Sequence, residues 1–125
     1  METGIRNKIG MTVCEADTAK AMGSGDLDVL ATPAMLALME RTAAESVKPH
    51  LEEGKTTVGT RVDVSHISAT PVGMKVTCES ELVAIDGRKL AFRVSVCDER
   101  GPIGEGTHER FIVDRVKFRA RTYAK

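Results

Sequence analysis

Three side chains in this sequence combine reactive chemistry with an apolar setting: the hydroxyl of Thr32, the carboxylate of Glu40 and the imidazole of His66. The run Ala31-Thr32-Pro33-Ala34-Met35-Leu36-Ala37-Leu38-Met39-Glu40 carries one carboxylate at the end of a nearly all-apolar stretch, and a second run, alternating valines with polar residues, ends on His66. Polar groups are costly on apolar elements unless something satisfies or uses them. An alcohol, an acid and an imidazole together can attack a carbonyl, move a proton and stabilise a developing negative charge.

Each residue also has a plainer reading. Thr32 is a favoured helix N-cap, a role worth about 1 kcal/mol, and its hydroxyl would then sit at the positive end of the helix dipole, where an oxygen gaining negative charge is stabilised. Glu40 is either a residue where the helix meets solvent, a buried partner for an arginine such as Arg110, or a carboxylate in an apolar wall. In the last case its pKa should be raised, which suits a general base or a nucleophile. His66, on a strand face with valines, is either a satisfied core histidine or a proton carrier.

The composition bounds the setting. At 125 residues with 42% hydrophobic and 29% charged residues, the chain fits one globular domain spanning 1–125 with a single core. Eighteen basic residues balance eighteen acidic ones, so no global field draws the chain to nucleic acid or to an anionic membrane. Phe92, Phe111, Phe118 and Tyr123 are the only aromatics, too few to form a stacking surface for a single strand. Cys14, Cys78 and Cys97 are widely spaced and odd in number, which argues against a disulfide framework or a zinc knuckle and for a reducing compartment. With no signal-peptide pattern after Met1 and no apolar run of spanning length, the expected location is cytoplasmic. His50, His66 and His108 are scattered and match no metal-binding spacing, and Ser24 and Ser65 lack the glycines of a nucleophile elbow.

The elements that must position these groups follow from periodicity. Ile9, Met11 and Val13 alternate with Gly10 and Thr12 in a first strand over Ile5 to Val13. Residues 15–31 contain Gly23-Ser24-Gly25-Asp26 and read as a lid or a long connection, with a short helical turn over Ala16 to Met22. A helix should start with Thr32 as N-cap and Pro33 at its first position, bury its first two turns on nearly every side, pair Arg41 with Glu45, and end near Pro49. Beyond Gly54 the period becomes two, placing Val58, Thr60, Val62, Val64 and His66 on one face. Two more strands follow, over Met74 to Val83 and Leu90 to Cys97, joined by a type I′ turn at Asp86-Gly87. A fifth strand is expected from Ile103 to about Phe118. Strands three to five should form an antiparallel meander, and the whole an α+β domain whose sheet packs its apolar face on the long helix.

These segments and their order resemble the hotdog-fold thioesterases, specifically the group related to fluoroacetyl-CoA thioesterase. The resemblance is carried by Ala31-Thr32-Pro33-Ala34-Met35 with Glu40, Thr57-Val58-Gly59-Thr60, Asp63-Val64-Ser65-His66, Ala69-Thr70-Pro71-Val72-Gly73 and Gly106-Thr107-His108-Glu109-Arg110-Phe111. It implies a hotdog fold, one long central helix wrapped by a five-stranded, mainly antiparallel sheet. It also implies catalytic roles for Thr32, Glu40 and His66 and places Gly59 and Arg110 near the bound thioester. The fluoroacetyl-specific member carries lid phenylalanines where this chain has no aromatic before Phe92, so the expectation is an enzyme not selective for fluoroacetyl-CoA.

The function so implied is hydrolysis of a small or medium acyl-CoA, with coenzyme A entering only as part of the substrate and no metal or redox cofactor. Two alternatives share the fold: a non-catalytic acyl-CoA binding module, and a hydratase or dehydratase on enoyl-CoA. One constraint is independent of family. Eight helical residues separate Thr32 from Glu40 by roughly 12 Å, more than the glutamate side chain can close alone. Either the Thr32 segment folds over before the helix proper begins, or the site combines residues from two subunits; the resemblance implies the second, a homodimer with sites at the subunit interface, because hotdog proteins commonly dimerise in that way. A last stripe, Arg115, Lys117, Arg119 and Arg121, alternates with Val116, Phe118 and Ala120, and suits either CoA phosphates or a charged edge strand that resists aggregation.

Overall fold

In a computed structural model covering residues 1–125, the chain runs β1 (Arg6–Thr12), a 3₁₀ turn (Glu15–Asp17), α1 (Ala19–Met22), α2 (Thr32–Val47), a second 3₁₀ turn (Lys48–His50), β2 (Lys55–His66), β3 (Lys75–Asp86), β4 (Lys89–Asp98), β5 (Gly101–Asp114) and α3 (Arg115–Tyr123). The five strands form one sheet in the order β1-β3-β4-β5-β2, and every neighbouring pair is antiparallel. β3, β4 and β5 form the expected meander, which leaves β1 and β2 as the two edges.

The period-two patterns place the core. Val76, Cys78, Ser80 and Leu82 of β3 and Leu90, Phe92, Val94 and Val96 of β4 point inward onto Met35, Leu38, Met39, Ala43 and Val47 of α2. The amide of Asn7 on β1 donates to the Thr42 carbonyl at 3.0 Å, tying that edge to the helix. α2 stops at Val47, with Pro49 in the following turn, and Arg41 meets Glu45 at 3.3 Å, both as the sequence indicates.

Several local expectations give way. The N-cap of α2 is Ala31, whose extended backbone leaves its carbonyl to accept from the Met35 N–H. Thr32 is therefore the first helical residue and its hydroxyl is released from capping. One flank of the helix is also open in the single chain: Pro33 and Ala37 are exposed and Leu36 is half-buried. The β3–β4 turn is Gly87-Arg88, with Gly87 at φ 62° and Arg88 at a negative φ, which matches a type II′ turn because only its first central residue needs the left-handed region.

Two differences reshape the functional surfaces. β2 carries a bulge between Gly59 and Arg61, so its alternation changes phase: Thr57 and Gly59 lie on the side of Glu40, while Val64 and His66 face inward further along. The last strand ends at Asp114, whose carboxylate accepts from the Lys117 N–H at 2.9 Å and caps α3. The basic stripe expected on a strand is therefore a helix, and its residues spread around an exposed cylinder.

Candidate active site

β2 and α2 meet at two places, and each holds part of the reactive set. At the N-terminus of α2 the Thr32 Oγ1 lies 2.8 Å from His66 Nδ1, joining the first helical residue to the last residue of β2. The other ring nitrogen, Nε2, is buried without a hydrogen-bond partner in the chain. With Nδ1 accepting from the threonine hydroxyl, Nε2 carries the proton. An imidazole held on one side and unpartnered on the other is poised to pass a proton.

The cleft beside this pair has a volume of about 310 Å³ and is walled by Ser24, Val29, Leu30 and Ile67. Residues 15–31 cover it because both ends are fastened: the Ala31 N–H donates to the Asp17 carbonyl at 2.8 Å and the Leu30 N–H to the Thr70 carbonyl at 2.9 Å. Thr18 caps α1 and Gly23 closes it at φ 76°, which turns the chain so that Ser24 reaches the cleft.

Two helical turns further on, Glu40 Oε2 lies 3.4 Å from Arg110 Nη1. The guanidinium is held on every side: Nε donates to the Thr57 hydroxyl at 2.8 Å, Nη2 to the Thr57 carbonyl at 3.0 Å, and Nη1 reaches His108 Nε2 at 3.2 Å. His108 Nδ1 lies 2.7 Å from the Arg61 carbonyl, to which it donates, leaving Nε2 as the acceptor for Arg110. Burial pushes the His108 pKa below its usual value, and the cation of Arg110 adds to the effect, so this histidine is a neutral structural link. Burial also lowers the Arg110 pKa, opposed by the Glu40 carboxylate.

Gly59 is opposite Arg110 in the β2–β5 register, and a Cβ there would lie 2.6 Å from Glu40 Oε2. A side chain at this position would push the carboxylate away from the strand. The apolar wall expected around Glu40 is not supplied by this chain: its side chain is 45% exposed and its neighbour is a cation. Arg110, whose side chain is only 10% exposed, is bonded to Glu40, Thr57 and His108.

Thr32 and His66 are thus brought together, and Glu40, Gly59 and Arg110 are brought together, but the two groups remain apart within one chain. Roughly 20 Å of extended strand separate Gly59 from His66. Thr57 and His108 were missed from sequence, although each sits two residues from a chosen position, Gly59 and Arg110, and so shares its strand face.

Comparison with known proteins adds an independent line. The profile described as fluoroacetyl-CoA-specific thioesterase matches residues 13–116. The fluoroacetyl-CoA thioesterase of Streptantibioticus cattleyicolor is 42% identical over 98 residues, covering 78% of this chain and 70% of that protein. A solved structure of a fluoroacetyl-CoA thioesterase superposes with a TM-score of 0.94 at 35% identity, covering 100% of this chain and 97% of the other. A hot-dog-like protein from Thermanaerovibrio acidaminovorans superposes with a TM-score of 0.90 at 25% identity, covering 99% and 92%. The architecture is the hotdog fold.

Proposed function

We infer the activity from kinship: the chain belongs to the fluoroacetyl-CoA-specific thioesterase family, and it hydrolyses a small or medium acyl-CoA to CoA and a carboxylate. The observation that carries the reading is the division of polar groups along β2, a hydroxyl–imidazole pair at one end and an arginine-held carboxylate at the other. Fluoroacetyl-CoA stays among the substrates to be tested, because the missing lid aromatics alter the walls of the cleft and leave the reacting groups intact.

In this reading Glu40 attacks the thioester carbonyl, directly or through a water that it deprotonates, and the oxyanion forms near Thr32 and the positive end of α2. The C–S bond then breaks with its electron pair on sulfur. His66 moves the proton between the hydroxyl or water and the departing thiolate, and one water is consumed overall. No step calls on a metal or a redox cofactor, and CoA takes part only as the leaving group. Arg110 acts through Glu40, as a positioning residue.

The two groups of residues combine in a homodimer. β2 is a sheet edge, and its stretch Gly59–Asp63 is exposed together with Pro33 and Ala37 of the helix. An unpaired edge of this length is a template for a second strand. Antiparallel pairing of two β2 strands about a two-fold axis between Val62 and Asp63 sets His66 of one chain beside the partner's Gly59. Glu40 of each chain then faces the Thr32–His66 pair of the other, which resolves the 12 Å constraint along α2. The free thiols of Cys14 and Cys97, both exposed, suit the cytoplasm.

The test is thiol release from acyl-CoAs running from fluoroacetyl and acetyl to medium chains. Release from at least one of them, abolished in folded Glu40→Gln, is the expected result. Loss of an enoyl chromophore without free thiol would make the protein a hydratase, and a ligand-dependent rise in melting temperature without turnover would make it a binding module.

A further inference from the structure

The cleft beside Thr32 and His66 holds more polar groups than the reaction uses. Each of the two segments that frame it brings one further hydroxyl to the partly apolar wall, Ser24 from the covering residues 15–31 and Ser68 from the chain just after β2. The hydroxyls of Thr18, Thr42, Ser46 and Thr70 bond to the chain itself, whereas those of Ser24 and Ser68 are exposed and free. The backbone fixes where they stand. The Ser24 N–H donates to the Ala19 carbonyl at 3.0 Å and the Lys20 N–H to the Leu27 carbonyl at 3.0 Å, while a Cβ on Gly25 would lie 3.3 Å from the Ala19 Cβ. The tip of the covering segment is thus folded back on α1. Ser68 follows Ile67, whose N–H donates to the Ile103 carbonyl at 2.7 Å.

Charge and size narrow what fits between these serines. No lysine, arginine, aspartate or glutamate lines the cleft, and the loop beyond Ser24 carries two exposed carboxylates, Asp26 and Asp28. An acyl group ending in a carboxylate would enter without a counter-ion and against those charges. The volume of about 310 Å³ lies at the bottom of the range for ligand cavities, roughly 300–1,000 Å³, which suits a short chain. A serine hydroxyl both donates and accepts, so the pair can meet a hydroxyl in either role.

We propose that Ser24 and Ser68 make this cleft selective for short, uncharged acyl groups that carry a hydroxyl on the second or third carbon. The inference rests on the acyl-CoA reading and names its substrate class. With the thioester carbonyl at Thr32, those carbons are the first to enter the cleft, and the product released is a short hydroxy acid. Both serines are exposed, so water satisfies them when an unsubstituted chain is bound. The preference is therefore about tenfold, the worth of a net hydrogen bond, and not the far larger factor that stranded buried groups produce.

The test compares kcat/KM for butyryl-CoA, 2- and 3-hydroxybutyryl-CoA in both enantiomers, and succinyl-CoA, with wild type and Ser24→Ala/Ser68→Ala. Both side chains are exposed and unbonded, so the double variant should fold and melt as wild type does. In wild type the best hydroxybutyryl-CoA should exceed butyryl-CoA about tenfold, with succinyl-CoA poorest, and the double variant should bring the first ratio to within about twofold of one. A wild-type ratio near one, or a preference that survives in the double variant, would overturn the proposal while leaving the hydrolase reading in place. If none of these thioesters is cleaved, that reading falls, and calorimetry with the same intact thioesters decides the cleft. Tighter binding of a hydroxybutyryl-CoA that the double variant abolishes would then support it, and equal Kd values would overturn it.

Discussion

The two ends of β2 are built differently. At the Gly59 end, Glu40 is held through Arg110 by Thr57 and His108, whose own ring is fixed on the Arg61 carbonyl and stacked on Phe92 at 6.2 Å. At the His66 end, one hydrogen bond joins Thr32 to an imidazole whose other nitrogen is unpartnered. The first is a rigid network that fixes a charge. The second is a single hydroxyl–imidazole contact with a free ring nitrogen, and such a division is what the proposed site shared between two chains requires.

The largest effect expected from breaking this comparison is at the carboxylate. Glu40→Gln keeps the shape and removes the base, so kcat/KM for the best acyl-CoA should fall about 10³-fold or more, with the melting temperature little changed. At the other end, His66→Ala should cost about 10²-fold in kcat and leave stability nearly intact, because the ring makes one side-chain hydrogen bond. Steady-state kinetics beside thermal melts separates the two.

Arg110→Met should show the reverse balance. It strands the Thr57 carbonyl and His108 Nε2 inside the protein, and urea unfolding should report a loss of about 2–4 kcal/mol. The smallest effect is linkage through His108. Its pKa is lower in the folded chain than in the unfolded one, so stability is unaffected above the ordinary histidine pKa and declines as pH falls below it, where the unfolded chain binds the proton first. His108→Gln should flatten that decline between about pH 6.5 and 5. An unchanged slope would show that His108 is not the group responsible.

Much of this was legible from periodicity and local chemistry. The Thr-Pro start of the helix, the inward valines and leucines of β3 and β4, and the pairing of Arg41 with Glu45 all follow from nearest-neighbour rules. What escaped depends on long-range or competing effects. The bulge beside Gly59 exists because β5 pairs out of step there, and strict alternation therefore put Val58 and His66 on one face when the strand changes phase between them. Arg115 to Arg121 fit a period of two as well as a helix, and the deciding signal was the cap at Asp114. Local chemistry makes Thr32 a cap, since threonine is favoured there and proline fits the first helical position, yet the contact with His66, 34 residues away, claims its hydroxyl. The shared face of His108 and Arg110 was visible in their spacing, but only burial reveals the histidine as a link and not a ligand.

The most direct test mixes two inactive chains. Glu40→Gln and His66→Ala protomers, unfolded and refolded together in equal amounts, should recover about a quarter of wild-type thioesterase activity, since half of the dimers are mixed and each has one intact site. Activity that stays at the level of the separate variants, in a sample shown to contain mixed dimers, would contradict a site made by two chains.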